Sequence, residues 1–226
     1  SEYDGKCLVF NHINGHTNTK ERFLKEGDLD IFIRYHLGIS ILEKVLAKNE
    51  KSIMEGAFTR NAFKLGSNYT EYKTKATTKA CYKLYLPREK HGFFTKEQIT
   101  HNFDVVQQWK VLVAKASPGD DTIPHGVISH PIVSEPKSLC TDSHLVVRVL
   151  PSQIEATHLA NYMSTKFFRF MMLLAKNNQN MTREVFRFVP IQDFSKNWTD
   201  QELFKKYGLT DEEIAFINLV IKNWVK

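Results

Sequence analysis

The sequence predicts an α+β protein: a body of short strands in a mixed sheet with packed helices, closed by a C-terminal helical hairpin. Three observations lead there. Five S/T-x-x-E/Q patterns mark helix starts, because the hydroxyl can cap an orphan amide while the Glu or Gln reaches back. Six short runs rich in β-branched and aromatic residues are bounded by Gly, Pro, Asn or Asp and read as strands. The two kinds of element do not alternate regularly, which argues against a doubly wound nucleotide-binding sheet.

In chain order, residues 6–10 are the first strand candidate. Residues 40–48 follow as an amphipathic helix with Ile41, Leu42, Val45 and Leu46 inward. The first capping pattern joins Ser52 to Glu55 and the second Thr95 to Gln98. Further strand candidates are 81–86, 109–115, 126–133, 144–150 and 185–189. After Ser152, paired with Glu155, the residues Ala156, Leu159, Met163, Phe167, Phe170 and Leu174 recur at helical spacing. They predict a single helix, buried on one face over about six turns. Thr199 with Glu202 opens a short helix bearing Leu203, Phe204 and Tyr207, and Gly208 is a suitable left-handed stop. Thr210 with Glu213 opens the last helix, with Ile214, Ile217, Ile221 and Trp224 in one stripe. The division falls near Ser195, with 1–195 as the strand-bearing body and 196–226 as the hairpin packed on it.

The chain has 226 residues, 42% hydrophobic and 25% charged, as expected of a soluble globular protein. The longest apolar runs, such as 170–175, are too short to cross a bilayer, so no membrane partner is expected. The stretch from Ser1 to Lys6 leads into a strand-like run rather than an apolar leader, so no signal peptide is expected. Cys7, Cys81 and Cys140 form no CxxC pair and are odd in number, which argues against a zinc site or a disulfide framework and for a reducing cytoplasm.

The net charge of +6 is concentrated. Between Arg60 and Lys90 stand Arg60, Lys64, Lys73, Lys75, Lys79, Lys83, Arg88 and Lys90, opposed only by Glu71 and Glu89, so this stretch holds the whole excess. A basic stretch on an otherwise balanced chain suggests a polyanionic partner. A lysine-rich solvated surface is the competing reading, and charge alone does not separate the two.

Neither GxGxxG nor GxxxxGK[ST] occurs. His12 and His16 are four apart, but the Asn14-Gly15 between them signals a turn rather than a metal-binding helix face. Asp121 followed by Glu135-Pro136-Lys137 resembles the Asp and Glu-x-Lys of metal-dependent nucleases, in which carboxylates hold Mg²⁺. Pro136 disfavours the internal strand that would present Glu135 and Lys137 on one face, and a plain loop is the competing reading. The amide-rich run Lys176-Asn177-Asn178-Gln179-Asn180-Met181-Thr182-Arg183 could read base edges, since Asn and Gln match adenine N6 and N7 and Arg183 could read guanine or clamp a phosphate. A polar helix end and turn is the alternative.

Longer stretches carry a resemblance. They are Trp109-Lys110-Val111-Leu112-Val113-Ala114-Lys115-Ala116-Ser117, Glu135-Pro136-Lys137-Ser138-Leu139-Cys140-Thr141 and Thr165-Lys166-Phe167-Phe168-Arg169-Phe170. Downstream they continue as Asn180 to Pro190, Asp193 to Asp200 and Leu203 to Ile214. Together these are similar to the C-terminal region of TaqI-like adenine-N6 DNA methyltransferases of type II restriction-modification systems, over about the last 120 residues. The first 100 residues share only general character with that family. Its catalytic half needs a glycine-containing S-adenosylmethionine loop and an Asn-Pro-Pro-Tyr-like tetrapeptide that holds the flipped adenine. Neither is present, and the chain has no Pro-Pro.

The resemblance implies a non-catalytic target-recognition domain of a longer enzyme, or a separate specificity subunit, that clamps double-stranded DNA against a methyltransferase catalytic domain. It implies no cofactor in this chain; S-adenosylmethionine, and Mg²⁺ if the parent also cuts, would belong to the parent enzyme. Phosphate contacts are expected from Arg60, Lys64, Lys73, Lys75, Lys79, Arg88 and Lys115, and base readers from Arg60, Asn61, Asn68, Tyr69, Lys73 and the turn holding Asn177, Asn178, Gln179 and Arg183. Thr182 and Arg183 lie in the family-like stretch, which favours a phosphate clamp or structural role for Arg183 over base reading. The rivals are a nuclease using Asp121, Glu135 and Lys137, a type I specificity subunit, which would carry the pattern twice, and a protein-interaction module on the hairpin.

Overall fold

The computed structural model describes residues 5–27, 29–58, 61–116, 122–176 and 181–224, and its architecture is α+β. β1 (Lys6–Ile13) and β2 (His16–Phe23) form an antiparallel ribbon. Asn14 and Gly15 make its turn at φ 48° and 80°, the left-handed pair that matches strand twist in a two-residue hairpin. The register pairs His16 with Ile13, so His12 and His16 point to opposite faces and share no metal site. β2 escapes sequence reading because its one buried side chain, Arg22, leaves no apolar alternation. α1 (His36–Leu46) begins ahead of Ser40, because the ribbon caps it: Asn11 Oδ1 accepts from His36 N at 3.0 Å, and Asn11 Nδ2 donates to Arg34 O at 2.8 Å.

Ser52 caps a short 3₁₀ turn, Ile53–Gly56. β3 (Ala80–Tyr85) and the unforeseen β4 (His91–Thr95) form a second hairpin. Its turn holds Arg88 and Glu89 at φ 58° and 60° with neither Gly nor Asn to announce it. A single turn, α2 (Phe103–Val106), leads to β5 (Trp109–Ala114), β6 (Ile132–Ser134), β7 (Ser138–Cys140) and β8 (His144–Leu150).

Three expectations need correction. The long helix is two helices, α3 (Gln153–Ser164) and α4 (Lys166–Ala175), broken at Thr165 with ψ 153°. Thr165 Oγ1 accepts from Phe168 N, and Asp200, distant in sequence, accepts from Lys166 N at 3.1 Å and Phe167 N at 2.8 Å. A new helix start is thereby satisfied where periodicity alone reads straight through. The run 185–189 is a 3₁₀ turn (Arg183–Phe186) followed by a bridge of Pro190 to Ser52; its apolar residues are buried, but burial does not dictate a strand. In 126–133 only the end pairs as β6: Val127 has φ 70°, Pro131 lacks an N–H, and His125 instead bridges Ile221.

The two C-terminal helices form as expected, α5 (Asp200–Lys206) and α6 (Asp211–Val220), each opened by a complete capping box at Thr199 and Thr210, with Gly208 at φ 61° between them, but α6 stops at Val220, so Ile221 and Trp224 leave the expected stripe and Ile221 bridges His125 instead. Both pack on α4, and Leu203, Phe204, Tyr207, Ile217 and Val220 enter the main core.

Two three-stranded sheets, β6-β5-β8 and β4-β3-β7, set the layers. β5 and β8 are buried on both faces: Val111, Val113, Leu145 and Val147 join the helical core, while Leu112 and Val146 join a smaller core with Leu84, Phe94 and Leu139 of the second sheet. That double burial explains why both strands read as unbroken apolar runs. Among the described residues no helix is long and apolar enough to cross a membrane, and the three cysteines are free.

Candidate nucleic-acid interface

The basic stretch lies against the outer edge of β4. Lys73 N donates to Phe93 O at 2.9 Å and Phe93 N returns a bond to Lys73 O at 2.8 Å, so the segment adds an irregular third rung to the β3–β4 hairpin and covers its edge. Tyr69 packs on Phe94 with ring centroids 5.3 Å apart, and the Tyr72 ring sits so close to Gly92 that a Cβ there would meet it at 2.3 Å. Gln98 Nε2 donates to Glu71 O, and Ala80 N to Thr77 Oγ1. Residues 69–80 are therefore pinned at several points although they form no regular element.

From this pinned segment Lys73, Lys75 and Lys79 project into solvent, with Lys64 and Asn68 exposed on the turns before it and Arg88 and Lys90 exposed at the β3–β4 turn. None of these six cations has an ion-pair partner among the described residues. Tyr69 is half-buried as a lid on the smaller core, and Asn61 Oδ1 is buried, so neither is displayed as a free base reader. Arg60, Asn177, Asn178 and Gln179 lie outside the described residues, as does Asp121.

Lys83 and Lys115 differ from the free cations. Lys83 Nζ pairs with Glu135 at 3.1 Å and lies 4.7 Å from the Tyr85 ring centroid. Lys115 forms a half-buried ion pair with Asp142. Backbone bonds gather several expected contacts at one end of the sheets: Asp142 N donates to Leu65 O beside Lys64, and Met181 N donates to Lys115 O beside the Arg183 turn. Arg183 is half-buried, 3.7 Å from Glu184. Lys64, Lys115 and Arg183 thus belong to neighbouring turns, while Lys73 is bridged to Phe93 of β4 and Lys75 and Lys79 follow it in the same segment.

Glu135 accepts from Tyr85 Oη at 2.5 Å and from Lys83 Nζ. Burial raises its pKa, but these hydrogen bonds outweigh that effect and hold it below the usual carboxylate range. Lys137, at φ 60°, spends its backbone on Val106 and Lys83 and leaves its side chain exposed. Among the described residues no three His, Cys, Asp or Glu side chains gather as a metal-binding group. Lys110 is fully buried in β5, with Nζ donating to Gln108 O at 2.9 Å and Glu135 O at 3.3 Å, and burial pushes its pKa down to about 8.

Sequence reading missed one feature at this end of the molecule, a cleft of about 960 Å³ between the β3–β4 turn, the start of β8 and the segment after α6. Its lining includes Arg88, His130, His144, Lys222 and Trp224. No local pattern could announce it, because those residues come from separate segments joined only by the fold.

No protein-family model matches this sequence, and no curated protein matches it significantly.

Proposed function

We propose that the chain is a sequence-specific double-stranded DNA recognition domain, acting as the specificity domain of a restriction-modification adenine methyltransferase whose catalytic domain is not in this chain. One observation carries the reading: six cations with no ion-pair partner among the described residues project from a pinned edge and the turns beside it, on a chain otherwise balanced in charge. Phosphate contacts need cations held in register, and a fixed platform supplies that. The distribution of the resemblance supports it. The family-like stretches build β5, β7, α4 and α5, which are largely core, while the basic segment lies outside them. A nuclease on Asp121, Glu135 and Lys137 gains nothing from Glu135, whose carboxylate is engaged by Tyr85 and Lys83.

Duplex binding measured by fluorescence anisotropy from 50 to 300 mM KCl tests the reading. Contacts from all six free cations give a log–log slope of about −5. No binding at low salt, or a slope near zero, contradicts it.

A further inference from the structure

The cleft has fixed walls. Arg169 of α4 is buried, yet its guanidinium donates from Nη1 to Lys222 O at 2.8 Å and lies 4.3 Å from the Trp224 ring centroid. His125 N donates to Val220 O at 2.7 Å and Lys222 N to His125 O at 2.9 Å, which ties the segment after α6 to the 125–130 segment. Trp224 and His130 then pack against each other with ring centroids 4.1 Å apart and planes tilted by 39°. A buried guanidinium is costly to desolvate, and here it holds an aromatic wall in place.

The lining includes Ser129, Ser143 and Asn223, and one of its polar groups is nearly buried. His144 is 6% exposed, and its Nδ1 is bonded to Ser143 Oγ at 2.9 Å, which in turn meets Thr141 Oγ1 at 2.8 Å. Nε2 has no partner among the described residues. Burial lowers the pKa of this ring to about 4, so it is neutral at physiological pH and offers a hydrogen bond without charge. Arg88 and Lys222 are exposed cations on the rim, opposed by Glu89. The volume falls at the upper end of the range for small-ligand sites, which is roughly 300–1,000 Å³.

A tilted aromatic pair, neutral hydrogen-bonding groups at Ser129, Ser143, His144 and Asn223 in a mostly apolar lining, and a basic rim match the parts of a nucleotide. We propose that this cleft takes a single unstacked nucleotide, with the heterocycle against the Trp224–His130 pair, its polar edge toward His144 and its phosphate at Arg88 and Lys222. This rests in part on the proposed function, because Arg88 belongs to both the cleft and the basic stretch. The nucleotide comes either from DNA, as an unpaired base beside the contacted duplex, or from a free mononucleotide.

The test uses the whole chain and three probes: a fully paired duplex, the same duplex with a one-nucleotide bulge, and deoxynucleoside monophosphates titrated by calorimetry with inorganic phosphate as competitor. The expected result is bulged-duplex binding on the order of ten-fold tighter than paired, the worth of one base stacked on an aromatic side chain. Trp224→Ala should bring the ratio of the two affinities to about one, and a thermal melt checks that this variant still folds. His144→Gln, which keeps a polar side chain, should reduce the ratio to an intermediate value. Mononucleotide binding that inorganic phosphate fails to displace, without a bulge preference, supports the pocket and assigns the free source. A ratio of one for the unaltered chain together with no mononucleotide binding overturns the pocket, as does a preference that survives Trp224→Ala. If neither duplex binds, the DNA reading fails and the mononucleotide arm alone decides the pocket.

Discussion

Replacing Asp200 by Ala tests how the C-terminal hairpin is tied to the body. Both carboxylate oxygens of Asp200 accept backbone N–H groups at the start of α4, from Lys166 at 3.1 Å and Phe167 at 2.8 Å. Asp200 is also the first residue of α5, where a negative charge favours the helix dipole. Each hydrogen bond to a charged group contributes about 1.5–3 kcal/mol when its partner cannot easily reach water. Phe167 is buried and Lys166 only half-buried, so one bond keeps its full value and the other is discounted. The expected loss is about 3 kcal/mol, equivalent to a fall in Tm of roughly 6–12 °C for a chain of this size. Asp200→Asn keeps an acceptor oxygen and should lose about half as much. Urea unfolding at neutral pH with linear extrapolation reads both values. A loss below about 0.5 kcal/mol for Asp200→Ala would refute the long-range cap, since surface changes away from any such feature stay within that range.

Three further outcomes follow from the same geometry. Lys73, Lys75 and Lys79 replaced together by Ala should lower the salt slope of DNA binding by about 2.7, with equal loss on every sequence; a loss confined to one sequence would make them base readers. Lys110 holds its proton less tightly folded, at about 8, than unfolded, at about 10.4, so the unfolded chain carries the extra proton between these values and raising pH through them favours the folded state. Between pH 8 and pH 10 the unfolding free energy from urea titration should therefore rise for the unaltered chain relative to Lys110→Met by on the order of 2 kcal/mol, and parallel pH profiles would contradict this. With Mg²⁺ and S-adenosylmethionine supplied, the chain should leave supercoiled plasmid unnicked and unmethylated, whereas nicking abolished by Glu135→Ala would promote the nuclease reading.

What the sequence disclosed follows from which interactions are local. The caps at Ser152, Thr199 and Thr210 and the Asn14-Gly15 turn depend on residues within a few positions of each other, and each forms, whereas the last stripe runs past the end of α6 at Val220 because Ile221 pairs with the distant His125. The starts of α1 and α4 depend instead on Asn11 and Asp200, contributed by distant segments, so periodicity misplaced one helix start and overran the other. β2 and β4 were hidden, the first because a mostly exposed ribbon carries no alternation and the second because its turn uses Arg88 and Glu89 in left-handed geometry. For the candidate interface, the charge excess was legible, but Lys83 and Lys115 could be told from the free lysines only once Glu135 and Asp142 were placed beside them. The cleft was not legible, because Arg88, His144 and Trp224 are brought together by the β3–β4 turn, β8 and the segment after α6.

The central claim is sequence-specific recognition of duplex DNA. Its most direct measurement is repeated selection of binders from a pool of random-core duplexes by the whole chain, followed by affinity measurement on the enriched and scrambled duplexes at one fixed salt concentration. The account predicts enrichment of a single short site bound at least about 1,000-fold more tightly than its scrambled counterpart, the lower end of the range for specific DNA-binding proteins. Salt-sensitive binding with no enriched site, or no binding to duplex at any salt concentration, would contradict it.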